Sequence, residues 1–171
     1  MHNARVGFGK SRYGFEVVSG QLEPGEAGSG KIVASVKQLA QERAGNQLDY
    51  MLLDAAAGIG CPVIASVTGS DFAVLVTEPT PSALADVQRA FGVVKHFGMP
   101  AGLIINKSDL SLDYVAKVQV WAESEGIEIL GLLPYDKIFV QALVEAKPVV
   151  EYGGEIAGKL EAIAEKLLSL L

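Results

Sequence analysis

From Leu48 onward, short apolar runs alternate with longer amphipathic stretches. The runs "LDYMLLDA", "FAVLVTEP", "PAGLIINK" and "IEILGLLPY" are too short for helices. They read as strands buried on both faces. Between them, "PVIASVTGS" predicts a short helix after a turn at Gly58 and Gly60. "TPSALADVQRAFGVVKHFG" predicts a longer helix, with Thr80 as N-cap, Pro81 in the first turn and Gly98 at the close. "LDYVAKVQVWAESEG" predicts a helix ended by Gly126, and "KIFVQALVEAKP" and "EIAGKLEAIAEKLLSLL" predict two more. Before Leu48 the rhythm differs. "YGFEVVSGQLEPGE" reads as a strand or hairpin closed by Pro24-Gly25. "GKIVASVKQLAQERAGN" reads as a helix, with Ile32, Val33, Val36 and Leu39 near helical spacing and Gly45-Asn46 as its stop.

Strictly alternating strands and helices require a mostly parallel sheet with helices on both faces, an α/β fold of three layers. The expectation is a single domain over residues 1–171, with residues 1–24 as an N-terminal strand or hairpin region. Ligands on such sheets sit beyond the C-terminal ends of the strands. There the chain places Asp54, Thr77-Glu78-Pro79, Asn106-Lys107 and Pro134-Tyr135-Asp136.

Composition narrows the functional classes. Half of the 171 residues are hydrophobic and 20% are charged, which argues against disorder. The net charge of −6, without a basic block, argues against nucleic-acid binding through phosphate neutralisation. One cysteine, Cys61, can form neither an intramolecular disulfide nor an all-cysteine metal site, and His2 and His96 are isolated. No run is long and apolar enough for a signal peptide or a membrane span, so a cytoplasmic protein is the expectation.

Each chemical motif carries a plainer alternative. Asp54 ends an apolar run four residues before Gly58. A carboxylate there suits a Mg²⁺ ion held through water, and the glycine lets a backbone N–H approach a γ-phosphate. The plainer role is a cap on the next helix. Asn106-Lys107-Ser108-Asp109 forms the N-K-x-D pattern that reads guanine in GTPases, the Asp taking the base's N–H groups and the Lys lying along the ring. The alternative is a polar loop, with Asp109 or Ser111 capping a helix. Residues Gly25 to Lys31 match G-x-x-x-x-G-K, but Ile32 stands where a P-loop has the Mg²⁺-binding hydroxyl, so a flexible helix entry competes with a phosphate loop. Cys61, before Pro62, reads as a small buried residue. Trp121, Phe91 and Phe97 read as core, and the C-terminal leucines as the apolar stripe of a docking helix.

At "LLDAAAGIGCPVIASV", "VLVTEPTPSALADVQRA", "GLIINKSDL" and "LLPYDKIFVQALVEAKPVV" the chain resembles the MinD/ParA group of P-loop ATPases, more narrowly those with an inserted ferredoxin domain. The resemblance runs from about Gly20 to the end. It implies an incomplete P-loop NTPase-like fold, the C-terminal portion of a nucleotide-binding domain. The family's phosphate loop and the cysteines of its two [4Fe–4S] clusters would lie outside these residues, and Lys31 would not be the P-loop lysine. It further implies Asp54 as the Mg²⁺-associated aspartate and Gly58 as the switch glycine. Asn106 would bind the base, with Pro134, Tyr135 and Asp136 flanking it and Thr77 and Pro79 near the nucleotide. The family's prolines between the Asp and the Gly are replaced by Ala55-Ala56-Ala57, which implies a floppier switch. Asp109 suits guanine better than adenine.

The implied activity is Mg²⁺-dependent ATP binding and slow hydrolysis, serving as a switch with an iron–sulfur partner. The isolated chain is expected to hydrolyse little or nothing, since phosphoryl transfer depends on the phosphate cradle. A homodimer or an N-terminal half supplied separately would complete it. Two alternatives stand beside this reading: a compact GTPase using Lys31, Asp54 and Asn106 to Asp109, and a non-catalytic binding subunit completed by another chain. In the MinD-like strand order the P-loop strand separates "YMLLD" from "FAVLVTE", which leaves a slot. Unpaired buried backbone groups cost about 1–3 kcal/mol each. The expectation is therefore that the two strands pair directly or that the segment from Phe15 to Leu22 fills the slot, rather than that a second molecule donates a strand.

Overall fold

The computed structural model describes residues 4–23, 29–45 and 48–171, which fall into two compact units meeting in sequence at Ser70 and Asp71. In the first unit, β1 (Ala4–Lys10) and β2 (Glu16–Leu22) form an antiparallel hairpin in which Phe8 faces Val18 and Val6 faces Gly20. Its turn lies at Ser11 to Phe15, where the Ser11 N–H donates to the Phe15 carbonyl at 2.8 Å. The hairpin is thus closed one strand earlier than the Pro24-Gly25 signal implied, and that dipeptide lies outside the described residues. A polar turn with Gly14 at φ +93° reverses the chain just as well.

Helix α1 (Ser29–Ala44) lies against this hairpin. The close approach explains Gly20: a Cβ there would sit 2.7 Å from Ile32 Cγ1 and from Val36 Cγ2. The α1 end is pinned by Arg43, which donates to both Glu16 carboxylate oxygens (2.8 and 3.0 Å) and stacks over the Phe8 ring at 3.6 Å. Lys37, in the middle of α1, is buried. Its ammonium donates to the Thr68 carbonyl (2.7 Å) and the Ser70 hydroxyl (3.0 Å), tying α1 to the end of α2 (Cys61–Val67).

Between α1 and α2 the apolar run "YMLLD" forms no strand, and Leu52 is 92% exposed. This corrects the expectation of a strand buried on both faces. A strand exists only against a neighbour's backbone, and residues 50–54 have no such neighbour among the described residues. Cys61 is exposed rather than buried, being the first residue of a seven-residue helix whose inner face is Val63, Ser66 and Val67.

The second unit follows the alternation closely. Its elements are β3 (Ala73–Thr77), α3 (Pro81–His96), β4 (Ala101–Asn106), α4 (Leu112–Glu125), β5 (Glu128–Leu133), α5 (Ile138–Val144), a 3-10 turn (Val149–Tyr152) and α6 (Gly154–Leu168). The sheet order is β3-β4-β5, all parallel. The helix starts are those the sequence marks. The Ala83 N–H donates to Thr80 Oγ1 at 3.2 Å, and the Tyr114 N–H donates to Ser111 Oγ at 3.4 Å. Gly126 ends α4 at φ +70°, a conformation a side chain resists.

Central β4 is the core of the unit: Leu103 and Ile105 are fully buried. Alternation turns Ile104 to the other face, where it packs with Leu130, Leu133 and Ile163 of α6. Right-handed crossovers place α3 and α4 on the face opposite α6. On that side Phe91 meets Trp121 edge to face, with ring centroids 5.9 Å apart. Phe97 departs from its expected core role. It is the residue that ends α3, past the buried Val94, and it is exposed.

Strand β3 is covered on one face only. Leu75 and Thr77 are buried while Val74 and Val76 are 37% and 61% exposed, and β3 pairs only with β4 among the described residues. Phe15 to Leu22 is committed to the hairpin, and residues 50–54 pair with no strand. The expected direct pairing or internal fill of the slot is therefore not found. Of the two strands of the hairpin, β2 is the one that takes up most of Phe15 to Leu22, and each of its residues is paired with β1.

Candidate functional site

All three strands of the second unit end on the same edge of the sheet, because they are parallel and because the register pairs Thr77 with Ile105 and Asn106 with Leu133. The chain therefore delivers Glu78, Lys107 and Pro134 side by side. Three contacts join the loops that follow. Lys107 Nζ forms an ion pair with Glu78 Oε1 at 2.6 Å, linking the ends of β4 and β3. The Ser108 N–H donates to the Leu133 carbonyl at 2.9 Å, and the Tyr135 N–H donates to Asp109 Oδ1 at 2.6 Å, linking the β4 and β5 loops.

Within this rim each sequence-predicted residue has a definite setting. Asn106 is half-buried at the end of β4, and its Oδ1 accepts the Lys107 N–H at 3.0 Å. With the oxygen so engaged, the NH₂ group is the end left to donate. Asp136 Oδ1 accepts the Ile138 N–H at 2.8 Å and so fixes the entry to α5. Pro134 is half-buried and Tyr135 is 51% exposed. Thr77 and Pro79 are buried; the Thr77 hydroxyl donates to the Ala83 carbonyl at 3.1 Å, which fastens the β3 exit to the first turn of α3.

Asp54 and Gly58 belong to the other unit. Asp54 is exposed in the stretch without secondary structure, and Gly58 is exposed at φ +102°. Asp54 is not the cap of α2, whose N-cap is Gly60. Of the G-x-x-x-x-G-K match, residues 25–28 lie outside the described residues; Lys31 is exposed on α1.

The Glu78–Lys107 pair is the feature that sequence reading missed. Its signal is positional, since both residues follow the β3–β4 register by one or two places, but the register itself had to be known first. The rim offers one amide donor, a proline and an aromatic ring, which suits the edge and face of a planar heterocycle. Among the described residues no group of three or more His, Cys, Asp or Glu converges to hold a metal ion.

Residues 28–168 match the ParA family model described as the NUBPL iron-transfer P-loop NTPase. The chain belongs to this ParA family of P-loop NTPases. An iron-sulfur cluster carrier protein of Pyrococcus furiosus is 31% identical over 153 residues, which cover 82% of this chain and 52% of the relative. The crystal structure of the Pyrococcus furiosus cell division ATPase MinD superposes with a TM-score of 0.69 at 23% identity, covering 85% of this chain and 60% of that one. MinD from Pyrococcus horikoshii OT3, complexed with Mg-ADP, gives a TM-score of 0.65 at 22% identity, covering 82% of this chain and 57% of that one. The ParA-family chain spans about half the length of the curated relatives it matches, or less. Among the described residues no helix is long and apolar enough to cross a membrane.

Proposed function

We propose that these residues form the base-side and metal-side portion of a MinD/ParA-like ATP switch that works with an iron–sulfur partner. The observation that carries the reading is the rim at the C-terminal ends of β3, β4 and β5, where Asn106 is held with its amide NH₂ free to donate. That edge is where parallel α/β sheets bind ligands, and a half-buried amide donor beside Pro134 and Tyr135 suits the edge and face of an adenine ring. The iron–sulfur association rests on the names of the family and of the cluster-carrier relatives. Cys61, the single thiol of these 171 residues, cannot by itself supply the ligands of a cluster.

The fit to Mg²⁺-nucleotide is uneven. The base end fits. On the metal side Asp54 is a lone carboxylate, which matches the way Mg²⁺ takes one or two carboxylates and keeps its waters. For the phosphates, residues 25–28 of the G-x-x-x-x-G-K match lie outside the described residues, and Ile32 lacks the Mg²⁺-binding hydroxyl. We propose that the phosphate cradle comes from residues outside these 171 or from a second copy. The compact GTPase reading is less well supported, because Lys107 and Asp109 are already engaged with Glu78 and Tyr135.

Equilibrium binding and turnover test this. The purified chain should show no measurable ATP or GTP hydrolysis. Asn106→Ala should weaken ADP binding with or without Mg²⁺, while Asp54→Ala should abolish only the Mg²⁺ dependence. Turnover of either nucleotide that disappears in Lys31→Ala would overturn the reading in favour of the GTPase.

A further inference from the structure

The N-K-x-D run is the sharpest motif in the sequence, and its geometry is not that of a guanine reader. Guanine recognition needs the Asp carboxylate open to a ring N–H and an amino group, with the Lys stem lying along the base. Here Asp109 Oδ1 accepts the Tyr135 N–H at 2.6 Å. Lys107 turns to Glu78, also at 2.6 Å. Its backbone lies at φ +50°, which is uncommon for a residue with a side chain. The Asn106 side chain, the Ser108–Leu133 bond and the Glu78 ion pair together hold it there.

From this arrangement we infer that Asp109 is a positioning residue. It latches the Tyr135–Asp136 loop in place as one wall of the base site, and in doing so commits Oδ1, one of the two oxygens that guanine would require. Adenine, which presents no ring N–H to be accepted, loses nothing by that commitment. Guanine's ring N–H and amino group are left to share the remaining oxygen. The inference rests on the nucleotide reading above and assigns the N-K-x-D run a different task within it: Lys107 and Asp109 stitch the three loops to one another, and only Asn106 addresses the base.

The test combines nucleotide affinity with amide hydrogen exchange on the full 171-residue chain, using ADP and GDP as probes and Asp109→Ala and Asp109→Asn as variants. The wild-type chain should bind ADP about tenfold or more tighter than GDP, the scale expected when a polar group loses its charged partner. Asp109→Ala should speed exchange of the Tyr135 amide and weaken ADP. Asp109→Asn keeps a carbonyl acceptor for Tyr135 and should restore both close to wild type, which a guanine-reading carboxylate would not do. GDP binding that equals or exceeds ADP binding and is lost in Asp109→Asn would overturn the inference. So would Tyr135 exchange and ADP affinity that ignore Asp109→Ala. Failure of the wild-type chain to bind either nucleotide at millimolar concentration would instead overturn the nucleotide reading itself, whatever the Tyr135 amide does.

Discussion

The two units of this chain use apolar runs of similar length and composition to opposite ends. "YMLLD" before Ser70 and "AGLIIN" after it both read as buried strands, yet Leu52 is 92% exposed while Leu103 and Ile105 are fully buried. The difference lies in their neighbours. In the second unit each strand is followed by one helix and then by its own partner, so pairing β3 to β4 and β4 to β5 needs only local crossovers. In the first unit the two described strands have paired with each other as a hairpin. Apolarity sets what a segment gains when covered; a partner's hydrogen bonds decide whether it becomes a strand.

That contrast can be broken by mutation. Leu103→Ala should have the largest effect, a loss of about 2–5 kcal/mol in chemical denaturation, because it opens a cavity at a fully buried site. Its counterpart, Leu52→Ala, should change stability by no more than about 0.5 kcal/mol. A cost for Leu52→Ala as large as that for Leu103→Ala would mean that "YMLLD" is covered in solution, and the contrast would collapse. Gly20→Ala comes next. Its new methyl would meet Ile32 and Val36, and overpacking of this kind costs about 1–3 kcal/mol. Faster amide exchange confined to the hairpin and α1 would mark this as the first unit's true packing contact. Thr80→Ala should cost about 1 kcal/mol by removing the cap on α3.

The smallest expected effect is a pH dependence shared by both units. Glu16 is held below its ordinary 4.5 chiefly by the hydrogen bond from Arg43, and Glu145 chiefly by those from Gln141 and then Tyr152. A carboxyl lowered in the folded state contributes stability that is present above its unfolded value and lost as pH falls through the folded one. Melting temperature should therefore decline as pH drops below about 4.5. Arg43→Ala and Glu145→Gln should each flatten that acid slope slightly, and both groups are exposed enough that neither change should be large. A slope untouched by Arg43→Ala would mean that the hairpin is not held to α1 through Glu16.

Much of the second unit was legible in the sequence because its signals are local. Thr80 before Pro81, Ser111 before an amphipathic run and Gly126 after one each satisfy or end a helix by contacts within a few residues, and all three act where the sequence marks them. The ParA-family resemblance was legible too, carried by several short segments in a joint order. The positions of Asn106, Pro134 and Asp136 at the ends of strands followed from the same alternation.

What only the tertiary structure decided are the relations between segments far apart in sequence. The Glu78–Lys107 pair depends on the β3–β4 register, and the Asp109–Tyr135 bond joins loops that the parallel order brings together. The burial of Lys37 depends on carbonyls and a hydroxyl near the end of α2. The exposure of Cys61, Phe97 and Leu52 depends on which surfaces happened to be covered. Residue type states what a side chain requires, an acceptor or an apolar neighbour. Whether the requirement is met is set by loop closure and register, which sum interactions across the whole unit and leave no mark on any one stretch of sequence.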